Sequence, residues 1–226
     1  MTTTTLPNLL KSIPCFASLS PDAMKWLQSA VREQSFTKGK IIMLEGDPYP
    51  GLFVIKSGTV KLYRSSPKGQ EQIVHIIRSG GCFECAPIFD KGPNPVSAQT
   101  LEKTKVYFIP ASKFASLINT YPEVVLQIVP TLTMRLRSLL SMVDDFSFRR
   151  VSSRLARLLL QLGEWDSEIA GASPSRLLNQ QHLACMLGCS RQALNNSLHK
   201  LVRAGVIRME GRHIIVLKPE VLVARI

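Results

Sequence analysis

Long apolar segments are absent from this sequence of 226 residues. No run approaches the ~20 apolar residues that a membrane-spanning helix needs. The opening residues, MTTTTLPN, have neither the basic region nor the apolar core of a secretion signal. We therefore expect a cytoplasmic protein. Cysteine is scarce as well: its five positions are scattered and odd in number, which argues against a disulfide framework and agrees with a reducing compartment.

Catalytic signatures are also missing. The sequence contains no G-x-x-x-x-G-K phosphate loop, no H-E-x-x-H zinc motif and no Ser, His and Asp in the order of a known hydrolase. We therefore expect a protein that is not an enzyme. Acidic residues are few, since 16 Asp and Glu stand against 28 Lys and Arg, a formal net charge of +12. This surplus favours an acidic partner, such as nucleic acid or an anionic membrane surface.

The segment from Phe36 to about Ile109 is divided into short pieces by turn signals. Gly and Pro recur in KGK, EGDPYPG, KSGTV, SPKGQ, SGG and KGPNP. Between them lie short runs rich in β-branched and aromatic residues, namely IIML, LFVIK, VKLYR, QIVHII and KVYFI. Several short strands at this spacing predict a β-sandwich or barrel.

Helical patterns begin after this segment. A short helix is predicted over Ala111 to Thr120, and Pro122 can open a longer one that runs towards Asp144. DDFSF, residues 144–148, is predicted as a hinge. Six apolar residues of the longer helix are spaced alternately three and four apart, as in a coiled coil: Val129, Leu132, Leu136, Leu139, Val143 and Phe146. This seam either pairs with a second copy of the chain or packs on its own β domain.

The carboxyl-terminal region has the pattern of two helices joined by a tight turn. Asn179 can cap the first helix, which ends at Gly188, and Ser190 starts the second. The buried face of the second helix is predicted to be Ala193, Leu194, Leu198, Leu201 and Val202. VIRMEGRHIIVL then reads as a two-stranded hairpin. Together these elements predict a winged helix-turn-helix.

In this order the segments resemble the superfamily of the cyclic-AMP receptor protein and the fumarate-nitrate reduction regulator (CRP/FNR), with GCSRQ at 188–192 the strongest local match. The resemblance implies an α+β fold: an N-terminal antiparallel, jelly-roll-like β-roll that senses an effector, then a long dimerisation helix, then a DNA-binding winged helix-turn-helix. The corresponding domains are 1–121, 122–147 with the hinge, and 148–226. It also implies a homodimer, an effector of unknown identity that repositions the reading helices, and RNA polymerase as a partner.

The second helix of the motif is expected to read a pseudo-palindromic operator in the major groove of double-stranded DNA. Four side chains are assigned to bases: Arg191, Gln192, Asn195 and Asn196. Arg191 suits guanine, and Gln192 and Asn195 suit adenine. Asn196 stands where relatives have an arginine and Gln192 where they have a glutamate, which predicts half-sites other than the usual family sequences. The expected phosphate contacts are Gln181, Ser190, Lys200 and Arg212.

The expected effector pocket departs from the family pattern. Relatives that bind cyclic nucleotides hold the phosphate with a Gly-Glu pair and an Arg-Ser pair, and the resemblance puts these on Glu84 and Cys85 and on Val96 and Ser97. A cyclic phosphate needs a cation and amide donors, whereas a carboxylate repels it. The pocket is therefore assigned to these four residues and Cys82, with an effector other than cyclic AMP.

Three other interpretations stay open for the sensory segment. Cys82 and Cys85 form a C-x-x-C that suits a redox dithiol, or they are small buried hydrophobes. Haem is the third interpretation, because the family includes gas sensors, and His75 or Cys85 is then the axial ligand.

The iron–sulfur members use several amino-terminal cysteines, whereas this chain has only Cys15 there. A DNA-binding repressor without any effector remains a rival function.

Overall fold

The computed structural model describes residues 6–13, 16–83, 86–167, 177–211 and 213–226. Contacts divide the chain into two units. The first consists of Met1–Arg64 and Val74–Ser138, and the second consists of Ser65–Ile73 and Leu139–Ile226. The expected α+β fold class is confirmed, with antiparallel sheets in the amino-terminal part, a long helix, and a helical motif with a hairpin wing at the carboxyl end.

Strands form where the turn signals and short apolar runs predict them. Between Arg32 and Pro110 they are β1 Arg32–Phe36, β2 Ile41–Met43, β3 Gly51–Ser57, β4 Thr59–Ser65, β5 Glu71–Arg78, β6 Cys82–Phe83, β7 Ser97–Thr100 and β8 Thr104–Pro110. They pair in two four-stranded sheets, in the orders β1-β8-β3-β6 and β2-β7-β4-β5. All five runs singled out in the sequence lie in or overlap these strands, which confirms the β-rich prediction.

Short helices cover one side of this β structure. They are α1 Leu6–Ser12, α2 Pro21–Ala30, α3 Pro87–Asp90 and α4 Ala111–Thr120. The bounds of α4 agree with the prediction, whereas α1 to α3 were not predicted from the sequence. The start of α2 carries a recognisable signal, because the Ser20 side chain accepts a hydrogen bond from the Ala23 N–H at 3.2 Å and Pro21 occupies the first helical turn.

Strand β3 separates two apolar clusters among the described residues of the first unit. Successive side chains of a strand point to opposite faces. Leu52 and Val54 pack in a cluster with the apolar faces of the helices. Phe53 and Ile55 pack in a second cluster that includes side chains from both sheets. All four side chains are buried, so β3 is apolar on both faces rather than alternating with polar residues.

The long helix, α5, extends over Glu123–Phe148. The predicted hinge at DDFSF is wrong, since residues 144–148 are helical. Helix α5 ends after them, and the only two residues between α5 and α6 are Arg149 and Arg150. Helix α6 then begins at Val151. No Gly or Pro interrupts DDFSF, and the Asp145 carboxylate is bound by arginines instead of competing for backbone N–H groups as it does in a turn.

The described elements of the second unit form the predicted winged helix-turn-helix. They are α6 Val151–Ser167, α7 Gln180–Leu187, α8 Arg191–Arg203, β9 Ile207–Glu210, β10 His213–Val216 and α9 Pro219–Val223. The wing strands pair antiparallel. Leu194, Leu198 and Leu201 of α8 are buried as expected, but Val202 is 38% exposed, because it lies at the edge of the buried face. None of the described helices is long and apolar enough to cross a membrane.

Candidate nucleic-acid interface and sensory core

The turn between α7 and α8 fixes the position of the reading helix. Asn179 caps α7: its side chain accepts from the His182 N–H at 2.8 Å, and its own N–H donates to Nδ1 of His182 at 3.4 Å. Gly188 ends α7 in the left-handed region, at φ +59°. Ser190 caps α8 by accepting from the Ala193 N–H at 3.1 Å. The three predicted helix boundaries are therefore confirmed.

Helix α8 presents an exposed polar face. Gln192, Asn196, His199 and Arg203 are all exposed and recur at spacings of four, three and four residues, which places them in one row. Arg191 and Asn195 form a second row beside it, with Arg191 exposed and Asn195 half-buried. The structure thus brings together all four side chains predicted to read bases. His199 and Arg203 complete the row, and helical spacing alone identifies them.

The residues predicted to contact phosphates differ in their exposure and in the hydrogen bonds that their side chains already make. Lys200 is exposed on α8. Gln181 is exposed, although its side-chain amide donates to Sγ of Cys185 at 3.3 Å. The Ser190 hydroxyl already accepts the cap bond, so its own hydrogen is what it can offer to a phosphate. Arg212 lies outside the described residues.

The cysteines of the turn region are packing groups. Cys185 is buried in α7, and Cys189 is half-buried beside it. Burial raises the pKa of the Cys189 thiol, while the charge of Arg154 opposes that shift. A raised pKa leaves less thiolate, the reactive form. Burial, and the less reactive thiol of Cys189, therefore favour packing as the role of both residues.

In the sensory unit, the structure describes two of the four residues that the resemblance aligns with the phosphate grip, namely Val96 and Ser97. Val96 packs against the apolar cluster between the sheets. Ser97 is buried, and its hydroxyl accepts a hydrogen bond from the Glu45 N–H at 2.9 Å. Glu84 and Cys85 lie outside the described residues. At position 96, where the resemblance expects the phosphate-binding arginine, the structure has an apolar side chain packed in the protein.

Cys82 and His75 lie close to Arg135 of α5. Cys82 is buried on β6, and its carbonyl oxygen accepts a hydrogen bond from the Arg135 guanidinium. Desolvation lowers the pKa of His75, and the positive charge of Arg135 lowers it further. Among the described residues no three His, Cys, Asp or Glu side chains come together as a metal site. Of the two residues proposed as a haem ligand, Cys85 lies outside the described residues, so the haem interpretation rests on His75 within them.

The predicted seam lies mainly on the exposed side of α5. Val129, Leu136, Leu139 and Val143 are between 48% and 57% exposed. Leu132 instead packs against the helical cluster of its own unit, as the alternative interpretation expected. At the far end, Phe146 is 40% exposed but also lies under the Arg154 guanidinium, 5.1 Å from the ring centroid. The seam is thus apolar and, apart from Leu132, largely exposed in the single chain.

Comparison with known proteins tests these interpretations. The family model described as a cyclic nucleotide-binding domain matches residues 33–121, and the Crp-like helix-turn-helix domain matches residues 153–225. A CRP-like cAMP-activated global transcriptional regulator of Mycobacterium tuberculosis is 30% identical over 222 residues, covering 97% of this chain and 99% of that protein. The chain belongs to the CRP/FNR family of transcription regulators.

A further relative and a solved structure support the assignment of this regulator to the CRP/FNR family. The cyclic AMP receptor protein of Thermus thermophilus is 28% identical over 200 residues, covering 88% of this chain and 90% of that protein. The structure of FixK2 from Bradyrhizobium japonicum matches its fold with a TM-score of 0.73 at 21% identity, covering 86% of this chain and 96% of that one. The regulator is therefore a DNA-binding protein with a cyclic nucleotide-binding domain, from a family of regulators rather than enzymes.

Proposed function

We propose that this regulator acts as a homodimer that reads a pseudo-palindromic operator through α8, under the control of an effector other than cyclic AMP. The main support for the proposal is that α8, the second helix of the winged helix-turn-helix, presents an exposed polar face. Because its partner is DNA of the chromosome, we also propose that it works in the cytoplasm.

Base reading is assigned to the two rows of α8. The Arg191 guanidinium can donate two hydrogen bonds to O6 and N7 of guanine, and the amides of Gln192, Asn195 and Asn196 match adenine N6 and N7. Arg203 and His199 extend the outer row beyond the first turns. Gln181, Ser190, Lys200 and Arg212 are proposed to bind phosphates and so to fix the register without reading sequence.

Dimerisation is assigned to the seam of α5. An exposed apolar stripe with alternating spacings of three and four is what a two-helix coiled coil buries. Val129, Leu136, Leu139 and Val143 supply most of this stripe, and Leu132 contributes less because its own unit already covers it in part. A symmetric pair of reading helices then faces two half-sites about one turn of DNA, ~34 Å, apart. RNA polymerase is the proposed further partner of the bound dimer.

The effector is proposed to differ from cyclic AMP, although two of the relatives are named for that nucleotide. Val96 supplies no positive charge, and the buried Ser97 hydroxyl accepts the Glu45 N–H, which leaves it one hydrogen but no charge to offer an anion. Cys82, Glu84 and Cys85 are retained with these two residues as the proposed effector pocket. The match to a cyclic nucleotide-binding domain describes the fold of this region. The side chains of the pocket decide which anion the region can hold.

The proposed DNA contacts are tested by fluorescence anisotropy with duplexes that carry each base substitution of the preferred half-site. We expect Arg191→Ala to cost about 1 to 3 kcal/mol and to relax one base position, whereas Lys200→Ala weakens all sequences alike. Lys113→Ala removes an exposed cation of α4 and serves as the matched control. Unchanged base preference in Arg191→Ala removes this arginine from the reading set.

A further inference from the structure

The connection between α5 and α6 is an elbow of two residues, Arg149 and Arg150. The backbone N–H of Arg149 still donates to the Asp145 carbonyl at 3.2 Å, so the helical bonding of α5 runs up to the break. A connection of this length leaves few backbone torsions between two rigid helices. The angle between them is therefore set by those torsions and by side-chain contacts across the elbow.

One carboxylate joins both sides of the elbow. Nη1 of Arg157 on α6 lies 3.0 Å from Oδ1 and 2.9 Å from Oδ2 of Asp145, and Nε of Arg149 lies 3.1 Å from Oδ1. The same Nη1 donates to the Ser141 hydroxyl at 2.9 Å. The Asp145 side chain is only 16% exposed, so solvent screens this group of contacts less than an open surface pair.

A second contact ties the end of α5 to the reading motif. The Arg154 guanidinium of α6 lies over the Phe146 ring, 5.1 Å from its centroid. The same ring reaches the turn before α8, because a Cβ placed on Gly188 would lie only 3.1 Å from it. The last turns of α5, the start of α6 and the turn at Gly188 are therefore in direct contact.

The contacts of Asp145 and Ser141 use a different face of α5 from the apolar seam, whereas Phe146 belongs to the seam itself. Asp145 follows Val143 by two residues and Ser141 follows Leu139 by two residues. Two residues correspond to about 200° around a helix, so each polar side chain points away from its seam neighbour. A substitution at Asp145 can thus loosen the elbow while leaving the apolar stripe in place.

We propose that the contacts of Asp145 with Arg157 and Ser141, here called the elbow clamp, determine which spacing between half-sites the regulator accepts. The clamp holds α6, and with it α8, at one angle to the last turns of α5. In a dimer joined along α5, that angle sets the distance and direction between the two reading helices. Asp145 and Arg157 are therefore positioning residues for operator choice, although neither contacts a base. The inference rests on the proposed dimeric function.

The test compares wild type with Asp145→Asn, Arg157→Gln and the double variant. Each is titrated by anisotropy against a single half-site duplex and against duplexes whose two half-sites are separated by a series of spacers. We expect single half-site affinity to stay within about twofold in all variants. Affinity for the preferred spacing falls about tenfold in each single variant, and neighbouring spacings become nearly equivalent. The double variant loses no more than either single one, as for a coupled pair.

Glu33→Gln is the matched control, because it also removes a paired carboxylate, the partner of Lys56 at 2.8 Å in the first unit. It keeps the wild-type spacing profile. An unchanged profile in the Asp145 and Arg157 variants overturns the inference. An equal loss on single and double half-sites also overturns it, since Asp145 then only supports the fold of the reading domain. If wild type itself sediments as a monomer and shows no preference for two half-sites, the dimeric function fails together with this inference.

Discussion

A Cβ atom on Gly188 would lie 3.1 Å from the ring of Phe146, and 3.0 Å from the side-chain oxygen of Gln72. Gly188 also has φ of +59°, in the left-handed region. This position therefore combines two separate reasons for glycine, one from the backbone and one from its neighbours. Together they fix the turn from which α8 begins.

Gly188→Ala should lower the stability of the reading domain. The left-handed backbone alone costs about 1 kcal/mol, and the crowded Cβ raises the expected loss to about 2 to 3 kcal/mol. Gly205→Ala is the control, since Gly205 has φ of +63° but a Cβ added there would meet nothing within 4 Å. Urea unfolding measures both. Equal losses of unfolding free energy in the two variants would show that crowding against Phe146 and Gln72 adds nothing to the cost at Gly188.

Leu136→Asp should convert the regulator from dimer to monomer at micromolar concentration, because it places a charge in the middle of the apolar seam. Met134→Asp provides the comparison: Met134 is 62% exposed on the same helix but points about 200° away from Leu136. Sedimentation velocity separates the two species. A dimeric Leu136→Asp variant, or a monomeric Met134→Asp variant, would place the interface elsewhere.

Cyclic AMP should leave DNA affinity within about twofold of its value without nucleotide. At the position that the resemblance assigns to the phosphate-binding arginine, Val96 packs against the apolar cluster, so we expect a cyclic phosphate to find no cation there. Calorimetry and anisotropy with added nucleotide check this, with the Mycobacterium tuberculosis relative as positive control. Micromolar binding together with increased DNA affinity would restore cyclic AMP as the effector.

Stability should fall in mild acid partly because of His75. Its pKa in the folded chain is lowered by desolvation and by Arg135 from the ordinary value of 6.5. Between the two pKa values the unfolded chain binds more protons, so stability rises with pH through that window and is lost as pH falls below about 6.5. His75→Gln should reduce this dependence in urea titrations at pH 7.5, 6.5 and 5.5. His199→Gln, at an exposed position, controls for loss of an imidazole.

Local sequence signals account for the elements that could be predicted. Gly188, Asn179 and Ser190 carry their boundary signals in their own residue types, and each lies where the sequence put it. The strands follow turn residues in the same way. These features depend on a few neighbouring residues, so a single sequence is sufficient to locate them.

Contacts between distant residues account for what the sequence did not reveal. DDFSF looks like a hinge until Asp145 is seen to bind Arg157, twelve residues later. The Ser97 hydroxyl is bonded to Glu45, which is fifty-two residues away. Leu132 has the spacing of a seam residue but packs in its own unit. Spacing shows which residues share a face, but it does not show what that face contacts.

Selection of bound sequences from a random DNA library is the most direct test that the regulator reads an operator as a symmetric pair through α8. We expect wild type to enrich two inverted half-sites whose centres lie about 34 Å apart, roughly one helical turn. Asn196→Ala should change the preferred base at one position in both half-sites together. Enrichment of a single unpaired motif, or an unaltered motif in Asn196→Ala, would rule out this mode of recognition.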